Sequence, residues 1–299
     1  MPVHWYYNRE ALDADYPDLS TYQAPLSHHP DSILWRSEFT PVSEKADILH
    51  DQAQFWGQRN IHYHQNLKAG ESTVNFKLAR SFHEQVAAAG EYDPTLWAEH
   101  YIGLMLTPDW HRDTYLEEYH RAFFNRYASG KKLLKCGISD EHIGGLATAP
   151  ALIAALPSSD HRQTVKEHVT LTHRHSNVLR AADCLTRLIQ AISEGTPLRE
   201  ALMKAAGDWF STRKAETWSR QPDRTAIGQR LSPACYVDQA FPASLYLAWK
   251  YHDDFPAAVL ANAKVGGDNC HRGAVVGALV AAEVMRTNGQ FDINPFPLD

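Results

Sequence analysis

Apolar residues recur at intervals of three to four positions over most of the chain, which is the spacing of one helix face. In the clearest example, over residues 73–89, Val74, Leu78 and Phe82 follow one another at four-residue intervals, and Gly90 ends the pattern. No segment alternates apolar and polar residues with an enrichment in β-branched side chains. The pattern therefore predicts an all-α fold. Further helices are predicted over about 43–61, 94–106, 113–128, 141–156, 160–170, 174–194, 197–212, 240–249, 254–265 and 270–286.

The first 45 residues depart from this pattern. Prolines stand at positions 2, 17, 25, 30 and 41, and no helical period is sustained. We predict an irregular N-terminal arm over residues 1–45, packed on the domain through its aromatic side chains, and a compact helical domain over residues 46–299. The polar stretch 213–235 contains two more prolines and is predicted to be a long surface loop.

The composition limits the partners and the location. A chain of 299 residues with 44% apolar and 21% charged residues can form one packed domain. The net charge of −6 provides no basic surface, so nucleic acid is not expected as a partner. No apolar run reaches the roughly 18 residues of a membrane helix, and the N-terminus lacks the features of a secretory signal. We expect no membrane association, a cytoplasmic location and, for four widely spaced cysteines, free thiols.

The strongest local signal of chemistry lies at residues 265–279. Gly266 and Gly267 precede Asp268, which opens a helix rich in glycine and alanine. Glycines allow close approach of the backbone, and small residues along a helix allow close packing, so this helix is predicted to be central. Asp268 is suited either to cap the helix or to coordinate a cation. The spacing leaves both interpretations open.

The segment VLANAKVGGDNCHRGAVVGALVAA resembles the part of ADP-ribosylglycohydrolases in which GGDTDT opens a helix of small residues. Three more segments resemble this family in the same order along the chain, namely KAGESTVNFKLARSF, DEHIGGLATAPALIAAL and LTHRHSNVLRAADCLTRLI. The similarity runs through about residues 67–286 and extends to J1-type lens crystallins. It implies an all-helical fold and, in the enzymes, two Mg²⁺ ions used to cleave the bond between ADP-ribose and its acceptor.

The resemblance implies that the metal ligands come from two motifs, TDDT and GGDTDT, and both are altered in this chain. In the first motif Gly-Glu-Ser-Thr replaces Thr-Asp-Asp-Thr, so Glu71 and Thr73 remain as oxygen donors. In the second motif Asp268 keeps the first acid, whereas Cys270 and His271 replace the second acid and the threonine. Because Mg²⁺ prefers oxygen ligands, a full pair of ions is disfavoured. One Mg²⁺ could still bind Glu71, Thr73 and Asp268, or a softer metal could use Cys270 and His271.

The catalytic candidates are therefore Asp268, Glu71, Cys270 and His271. A thiol at a helix N-terminus has its thiolate favoured by the helix dipole, so Cys270 is either a nucleophile or a buried inert cysteine. Substrate contacts are expected from the glycine loops and from the polar and aromatic stretch 51–66, although a solvated helix face would also explain that stretch. These substrate-binding candidates are Trp56, His62, His64, Asn66, Glu141, His142, Gly144, Gly145, Gly266, Gly267 and Asn269.

Three functions remain open from the sequence. The first is an ADP-ribosylglycohydrolase-like hydrolase that acts on a glycosidic or related bond of a small polar or ADP-ribosyl substrate. The second is a metal-independent hydrolase or lyase of small-molecule metabolism that uses Cys270, a histidine and Glu71. The third is a non-catalytic protein like the J1 crystallins. The sequence does not determine the substrate or the oligomeric state.

Overall fold

The computed structural model describes residues 1–156 and 160–290. Within these residues the regular structure is helical, and β pairing is limited to isolated bridges. The α-helices are α1 (Arg9–Asp15), α2 (Val74–Ala89), α3 (Pro94–Met105), α4 (Glu118–Ala128), α5 (Ala149–Ala155), α6 (His161–Thr170), α7 (Ser176–Ser193), α8 (Leu198–Ala205), α9 (Thr212–Trp218), α10 (Asp223–Thr225), α11 (Val237–Lys250), α12 (Phe255–Lys264) and α13 (Asn269–Asn288). The predicted all-α fold is confirmed.

Helix α13 lies at the centre of the fold, as its small residues predict. It packs against α7, α11 and α12, and its inward side chains Val275, Val276 and Leu279 are fully buried. A glycine permits the close approach of α12, because a Cβ at Gly273 would lie only 3.0 Å from Nδ2 of Asn262. Burial of this apolar face supplies most of the stability of such a helix.

Helix α2 forms over the residues that the apolar spacing predicts. Gly90 ends the helix in the left-handed conformation, with φ of 72°, and its N–H donates to the carbonyl of Val86. At the other end the Thr73 side chain makes no capping hydrogen bond. Instead the N–H of Val74 donates to Oδ2 of Asp113, at 2.8 Å. A carboxylate distant in sequence therefore satisfies the first turn of this helix.

The N-terminal arm packs on α12, but it is not irregular throughout. Helix α1 forms because Asn8 caps it, with its side-chain oxygen accepting from two N–H groups of the first turn. Tyr6 and Leu12 are buried in a cluster that also contacts Leu260 and Ala263 of α12. The prediction missed α1 because a helix of seven residues spans only two turns, too few to establish a period.

Two other predictions of regular structure are wrong. The helix predicted over 43–61 is instead a pair of 3₁₀ turns, Glu44–Ala46 and His50–Phe55. Positive φ angles at His50, Gly57 and Asn60 prevent an α-helix from continuing there. The stretch 213–235, predicted to be a loop, contains α9 apart from its first residue, then α10 and the π turn Ala226–Arg230.

The boundaries of three predicted helices also shift. The helix predicted over 113–128 begins only at Glu118, and the one predicted over 197–212 is α8, which ends at Ala205. The one predicted over 141–156 divides into a 3₁₀ turn, Ile143–Leu146, and α5. Among the described residues, none of the helices combines the length and apolar character needed to cross a membrane.

Candidate active site

The site is built around the turn that precedes α13. Gly266 and Gly267 both have positive φ, 73° and 66°, which side-chain-bearing residues rarely adopt. A Cβ at Gly266 would lie 2.4 Å from the carbonyl oxygen of Tyr6, and one at Gly267 would lie 2.1 Å from that of Pro233. Two hydrogen bonds, from Trp5 N to Gly267 O and from Gly267 N to Tyr6 O, both 2.7 Å, tie the N-terminal arm to this turn. The glycines therefore hold the arm and the turn together.

A buried arginine fixes the same turn from the inside. The guanidinium of Arg272 is fully buried and donates to the carbonyl of Gly266 at 2.8 Å and to the side chain of Asn262 at 2.7 Å. Burial lowers the pKa of Arg272 to about 10, which still leaves it charged at neutral pH. Its charge faces the backbone carbonyls of the turn, so the position of Asp268 is rigidly set.

Asp268 both caps α13 and joins a hydrogen-bond network. The side chain is 0% exposed, and its Oδ1 accepts from the backbone N–H of His271 at 3.4 Å. The same oxygen is 2.7 Å from Nδ1 of His271 and 2.9 Å from Nε2 of His4. Asp268 therefore caps the helix, one of the two roles that the sequence left open, and coordination of a cation stays a prediction.

One branch of the network runs from Asp268 into the N-terminal arm and the segment before α2. Nδ1 of His4 is 2.7 Å from Nε2 of His64, and Nδ1 of His64 is 2.6 Å from Oδ1 of Asp113. Both imidazoles are buried, with 1% of His4 and 4% of His64 exposed. Two carboxylates thus flank a pair of histidines whose rings lie edge to edge in nearly one plane.

The other branch runs from Asp268 to α2 and α4. Nε2 of His271 is 3.0 Å from Oε1 of Glu117, which also accepts from Nδ2 of Asn75 at 3.0 Å. The side-chain oxygen of Asn75 is in turn 2.9 Å from Nε2 of His120. Within the described chain, Oε2 of Glu117 is buried and has no hydrogen-bond partner.

The charges of this branch are mutually stabilising. Burial alone would raise the pKa of Asp268 and of Glu117, but the charge and hydrogen bonds of His271 outweigh burial and hold both pKa values well below their usual range. Burial would lower the pKa of His271, but the two carboxylates outweigh it and raise that pKa well above its usual value. At neutral pH an imidazolium therefore lies between two carboxylates.

A cleft of about 270 Å³ opens onto both branches. The polar side chains that line it are His4, His64, Thr73, Asn75, Tyr115, Glu117, Asn262, Asn269, Cys270 and His271. Burial tends to raise the pKa of Cys270, but the His4 imidazole and the amino terminus outweigh it and lower the pKa to about 7. A thiolate is thus accessible at neutral pH beside His4.

Comparison with known proteins agrees with this architecture. The family model described as ADP-ribosylglycohydrolase matches residues 1–284. The chain belongs to the ADP-ribosylglycohydrolase family. A solved structure titled "ADP-ribosylglycohydrolase-related protein complex" is 21% identical, with a TM-score of 0.53 over 73% of this chain and 72% of that chain. That likeness shows the fold alone, and no curated protein matches.

Membership of the ADP-ribosylglycohydrolase family supports a hydrolase-like function and a small-molecule substrate. The family match begins at residue 1, so the N-terminal arm lies within the family region rather than outside it. This differs from the resemblance in the sequence, which begins only near residue 67.

Several candidate residues from the sequence come together in this ADP-ribosylglycohydrolase fold. His64, Thr73, Asn269, Cys270 and His271 all line the cleft, with Asp268 directly behind His4 and His271. His142 lies on the opposite side of Asp268, with Nε2 3.6 Å from Oδ2. The amide of Asn269 is committed to the carbonyl of Val3 at 3.0 Å.

Glu71 pairs with two cationic side chains. Its carboxylate forms ion pairs with Nζ of Lys77 at 3.1 Å and with Nη2 of Arg112 at 2.6 Å. Three groups of His, Cys, Asp and Glu side chains converge in the described residues, and Glu71 belongs to none of them. The two cations hold the Glu71 carboxylate, so Glu71 would have to leave these ion pairs to bind a metal, and the ligand set of Glu71, Thr73 and Asp268 stays a prediction.

The remaining substrate-binding candidates have structural partners away from the lining of the cleft. Trp56 donates to the carbonyl of Thr114, Asn66 donates to Gln52, and Glu141 is an exposed partner of His175. His62 is fully buried and donates to the carbonyl of Pro2.

The glycines of the 143–146 turn have a packing role. A Cβ at Gly144 would lie 2.8 Å from Nδ1 of His142, and one at Gly145 would lie 2.8 Å from the ring of His173. Like Gly266 and Gly267, these two glycines are required for the close contact of neighbouring segments. Both are buried, so their backbone is not presented to the cleft.

Four site residues were missed in the sequence, namely His4, Asn75, Asp113 and Glu117. Asp113 and Glu117 stand four residues apart before α4, a spacing that alone indicates nothing more than a helix start. His4 lies in a segment without any pattern. Its role depends on a contact across 264 positions of sequence, for which the sequence gives no local signal.

Proposed function

We propose that this protein hydrolyses a glycosidic or related bond of a small polar substrate bound in the cleft, with Glu117 as the carboxylate that faces the reacting sugar. The observation that carries this proposal is the buried Glu117 side chain. It lines the cleft, its Oε1 is held by His271 and Asn75, and within the described residues its Oε2 makes no hydrogen bond, with Nε2 of His120 3.7 Å away.

The electrostatic state of Glu117 suits glycoside cleavage. The transition state of that reaction resembles an oxocarbenium ion and carries positive charge on the sugar ring. A carboxylate with a pKa held below its usual range stays ionised, so it can stabilise this charge, although it is a weak base. Oε2 is buried and makes no hydrogen bond within the described residues, so it is the oxygen we propose to accept from a sugar hydroxyl or from the attacking water when substrate is bound.

His271 and Asn75 would position Glu117 rather than react themselves. The imidazolium of His271 is held by Asp268 at 2.7 Å and by Glu117 at 3.0 Å, so neither of its nitrogens is free for the substrate. Asn75 donates to the same oxygen of Glu117 and is itself oriented by Tyr119 and His120. These contacts fix one carboxylate oxygen and leave the other available.

The side chains present do not fit the pair of Mg²⁺ ions that the family implies. Mg²⁺ requires several oxygen ligands, but Glu71 is held by Lys77 and Arg112. Oδ1 of Asp268 accepts from His4 and His271, and the imidazolium of His271 places a positive charge beside it. We therefore propose a reaction that does not depend on a dinuclear Mg²⁺ centre.

The size of the cleft favours a small substrate or a small part of a larger one. Its volume of about 270 Å³ lies just below the roughly 300–1,000 Å³ of pockets that bury drug-sized ligands. A ribosyl group with its leaving group suits this volume better than a complete ADP-ribose. We expect any further part of the substrate to extend out of the cleft.

The test compares Glu117→Gln with Glu118→Gln, which changes the same charge on the exposed side of α4. Release of free sugar would be followed with N- and O-linked ribosides, with and without an ADP moiety, in the presence and absence of Mg²⁺. We expect Glu117→Gln to lower kcat by roughly 10²–10⁴ with KM little changed. Glu118→Gln should retain full activity. Equal activity of the two variants, or hydrolysis that strictly requires Mg²⁺, would contradict the proposal.

The thiol hypothesis from the sequence makes a different prediction. If Cys270 were the nucleophile, Cys270→Ala would lose turnover completely while its thermal unfolding stayed like that of the wild type. Under the present proposal Cys270→Ala keeps the Glu117-dependent reaction. Measuring the turnover of Cys270→Ala and of Glu117→Gln with the same substrate therefore distinguishes a thiol nucleophile from a reaction that depends on Glu117.

A further inference from the structure

Three side chains with metal-binding atoms meet on one wall of the cleft. The ligand atoms of His4, His64 and Cys270 all lie within 4.8 Å of one another, and all three residues line the cleft. They come from the N-terminal arm, from the segment before α2 and from the first turn of α13. Such convergence across three distant segments results from the tertiary fold.

The hydrogen bonds of the two imidazoles direct their lone pairs toward each other. A carboxylate oxygen accepts, so the nitrogen facing it carries the hydrogen. Nδ1 of His64 faces Asp113 and Nε2 of His4 faces Asp268. The opposite nitrogens, Nε2 of His64 and Nδ1 of His4, then both present lone pairs at a separation of 2.7 Å. Two lone pairs at this distance require either an extra proton or a cation between them.

We propose that His4, His64 and Cys270 form a binding site for a thiophilic divalent ion such as Zn²⁺. Imidazole nitrogen and thiolate sulfur are the ligands that Zn²⁺ prefers. In tetrahedral Zn²⁺ sites, Zn–N distances of about 2.0–2.1 Å place two nitrogens roughly 3.3 Å apart. The two imidazoles, which now point directly at each other, therefore need to separate by about 0.6 Å and to turn so that both lone pairs converge on the ion.

The surroundings of the three ligands match those of metal sites in proteins. Ligating histidines usually donate their second nitrogen to a carboxylate, which fixes the tautomer and the ring orientation. Here Asp113 and Asp268 occupy those positions, at 2.6 Å and 2.9 Å. Both carboxylates also bring negative charge close to the ion. Three protein ligands leave a fourth position open to the cleft, as in catalytic Zn²⁺ sites.

This site differs in chemistry from a Mg²⁺ centre, although Cys270 stands where the family motif has an acid, and it does not depend on the hydrolase activity proposed above. Its ligands are two nitrogens and one sulfur, which favour Zn²⁺ over Mg²⁺. A second group, His142, Cys235 and Asp268, also converges within 4.8 Å on the other side of Asp268. Each of these two groups contains one cysteine, so variants of Cys270 and of Cys235 show which group binds the ion.

The experiment titrates metal-free full-length protein with Zn²⁺ by calorimetry and with Co²⁺ by absorption spectroscopy, since a thiolate ligand gives Co²⁺ a charge-transfer band. We expect one ion per chain and a thiolate–Co²⁺ band in the wild type. Cys270→Ser and His64→Asn should each weaken Zn²⁺ binding by at least about a hundredfold, and Cys270→Ser should lose the band. Asp113→Asn should weaken binding by about 10- to 100-fold, because it removes only the orienting carboxylate.

The matched controls are Cys184→Ser, which changes a buried cysteine of α7 far from the cleft, and Cys235→Ser. Both should bind Zn²⁺ and give the Co²⁺ band like the wild type. Circular dichroism of each metal-free variant shows whether it is folded. Failure of the wild type to bind Zn²⁺, persistence of the band in a folded Cys270→Ser, or its loss in a folded Cys235→Ser would overturn the assignment.

Discussion

Two regions contribute to this protein in different ways. One is the N-terminal region up to Asn66, and the other is the group of helices α7, α11, α12 and α13. The four helices form the centre of the core, and their apolar spacing identifies them in the sequence. The N-terminal region has little regular structure, yet it supplies His4 and His64 to the cleft. Regular helices thus form the framework, whereas an irregular segment completes the chemistry placed on it.

The difference follows from what each region must satisfy. A helix satisfies its own backbone hydrogen bonds, so its sequence mainly has to present an apolar face. The N-terminal region instead uses specific partners, such as the pairing of Trp5 and Tyr6 with Gly267. These contacts hold individual side chains, such as His4, in one position beside the cleft. They also make the N-terminal region dependent on the rest of the fold.

The largest expected effect tests whether the two regions unfold together. Leu12→Ala in α1 and Leu185→Ala in α7 remove equally buried side chains from separate clusters. We expect each to lower the free energy of unfolding by about 2–5 kcal/mol, with a single transition in urea. If Leu12→Ala lowered the free energy of unfolding by less than about 1 kcal/mol, or if urea unfolding showed two transitions, the N-terminal arm would be a separate folding unit.

The junction of the two regions should be the next most sensitive point. Gly267→Ala combines a positive φ with a Cβ placed 2.1 Å from the carbonyl of Pro233. We expect it to lower the free energy of unfolding by about 2–4 kcal/mol. Gly130→Ala is the matched control, because Gly130 also has positive φ but nothing lies within 4 Å of its added Cβ. In the same denaturation experiment the free energy of unfolding of Gly130→Ala should fall by only about 1 kcal/mol. An equal decrease in both variants would contradict the packing role of Gly267.

The effect that is smallest at neutral pH, and grows only as the pH falls, concerns a histidine in the helical region that lies apart from carboxylates. Burial against Phe82 lowers the pKa of His168 to about 3. In the unfolded chain the His168 imidazole becomes protonated near pH 6.5, whereas in the folded protein it stays neutral down to about pH 3. Stability is therefore lost as the pH falls from about 6.5 to about 3, by up to roughly 1.4 kcal/mol per pH unit.

The variant His168→Gln checks this pH dependence. Its free energy of unfolding should fall less steeply than that of the wild type between about pH 6 and 4 and run parallel to it above pH 7. Urea denaturation at a series of pH values measures both curves. Parallel curves over the whole range would mean that His168 takes up its proton without unfolding the protein.

Much of the fold was predictable because helical periodicity is a local property. The limits of α2 and the central place of α13 follow from Val74, Leu78, Gly90 and the glycines and alanines after Asp268. The 43–61 segment was predicted wrongly because its apolar residues suit a helix while the fold requires positive φ at His50 and Asn60. Those conformations are imposed by tertiary contacts that the spacing does not encode.

The candidate site was predictable only where a motif marks it. Asp268, Cys270 and His271 stand together in the sequence and remain together in the fold because they share the start of α13. Glu71 was chosen by its position in a motif, but Lys77 and Arg112 hold its carboxylate. Glu117 was passed over because an acid at the start of a helix is common.

The sequence by itself determined the family, the helical class and the place of Asp268 at the head of a central helix, because each of these depends on residues near one another in the chain. The tertiary structure decided which side chains surround Asp268. His4, His64 and Glu117 reach the cleft through contacts between distant segments, and the energies of such contacts depend on complementary packing and charge that no local pattern records.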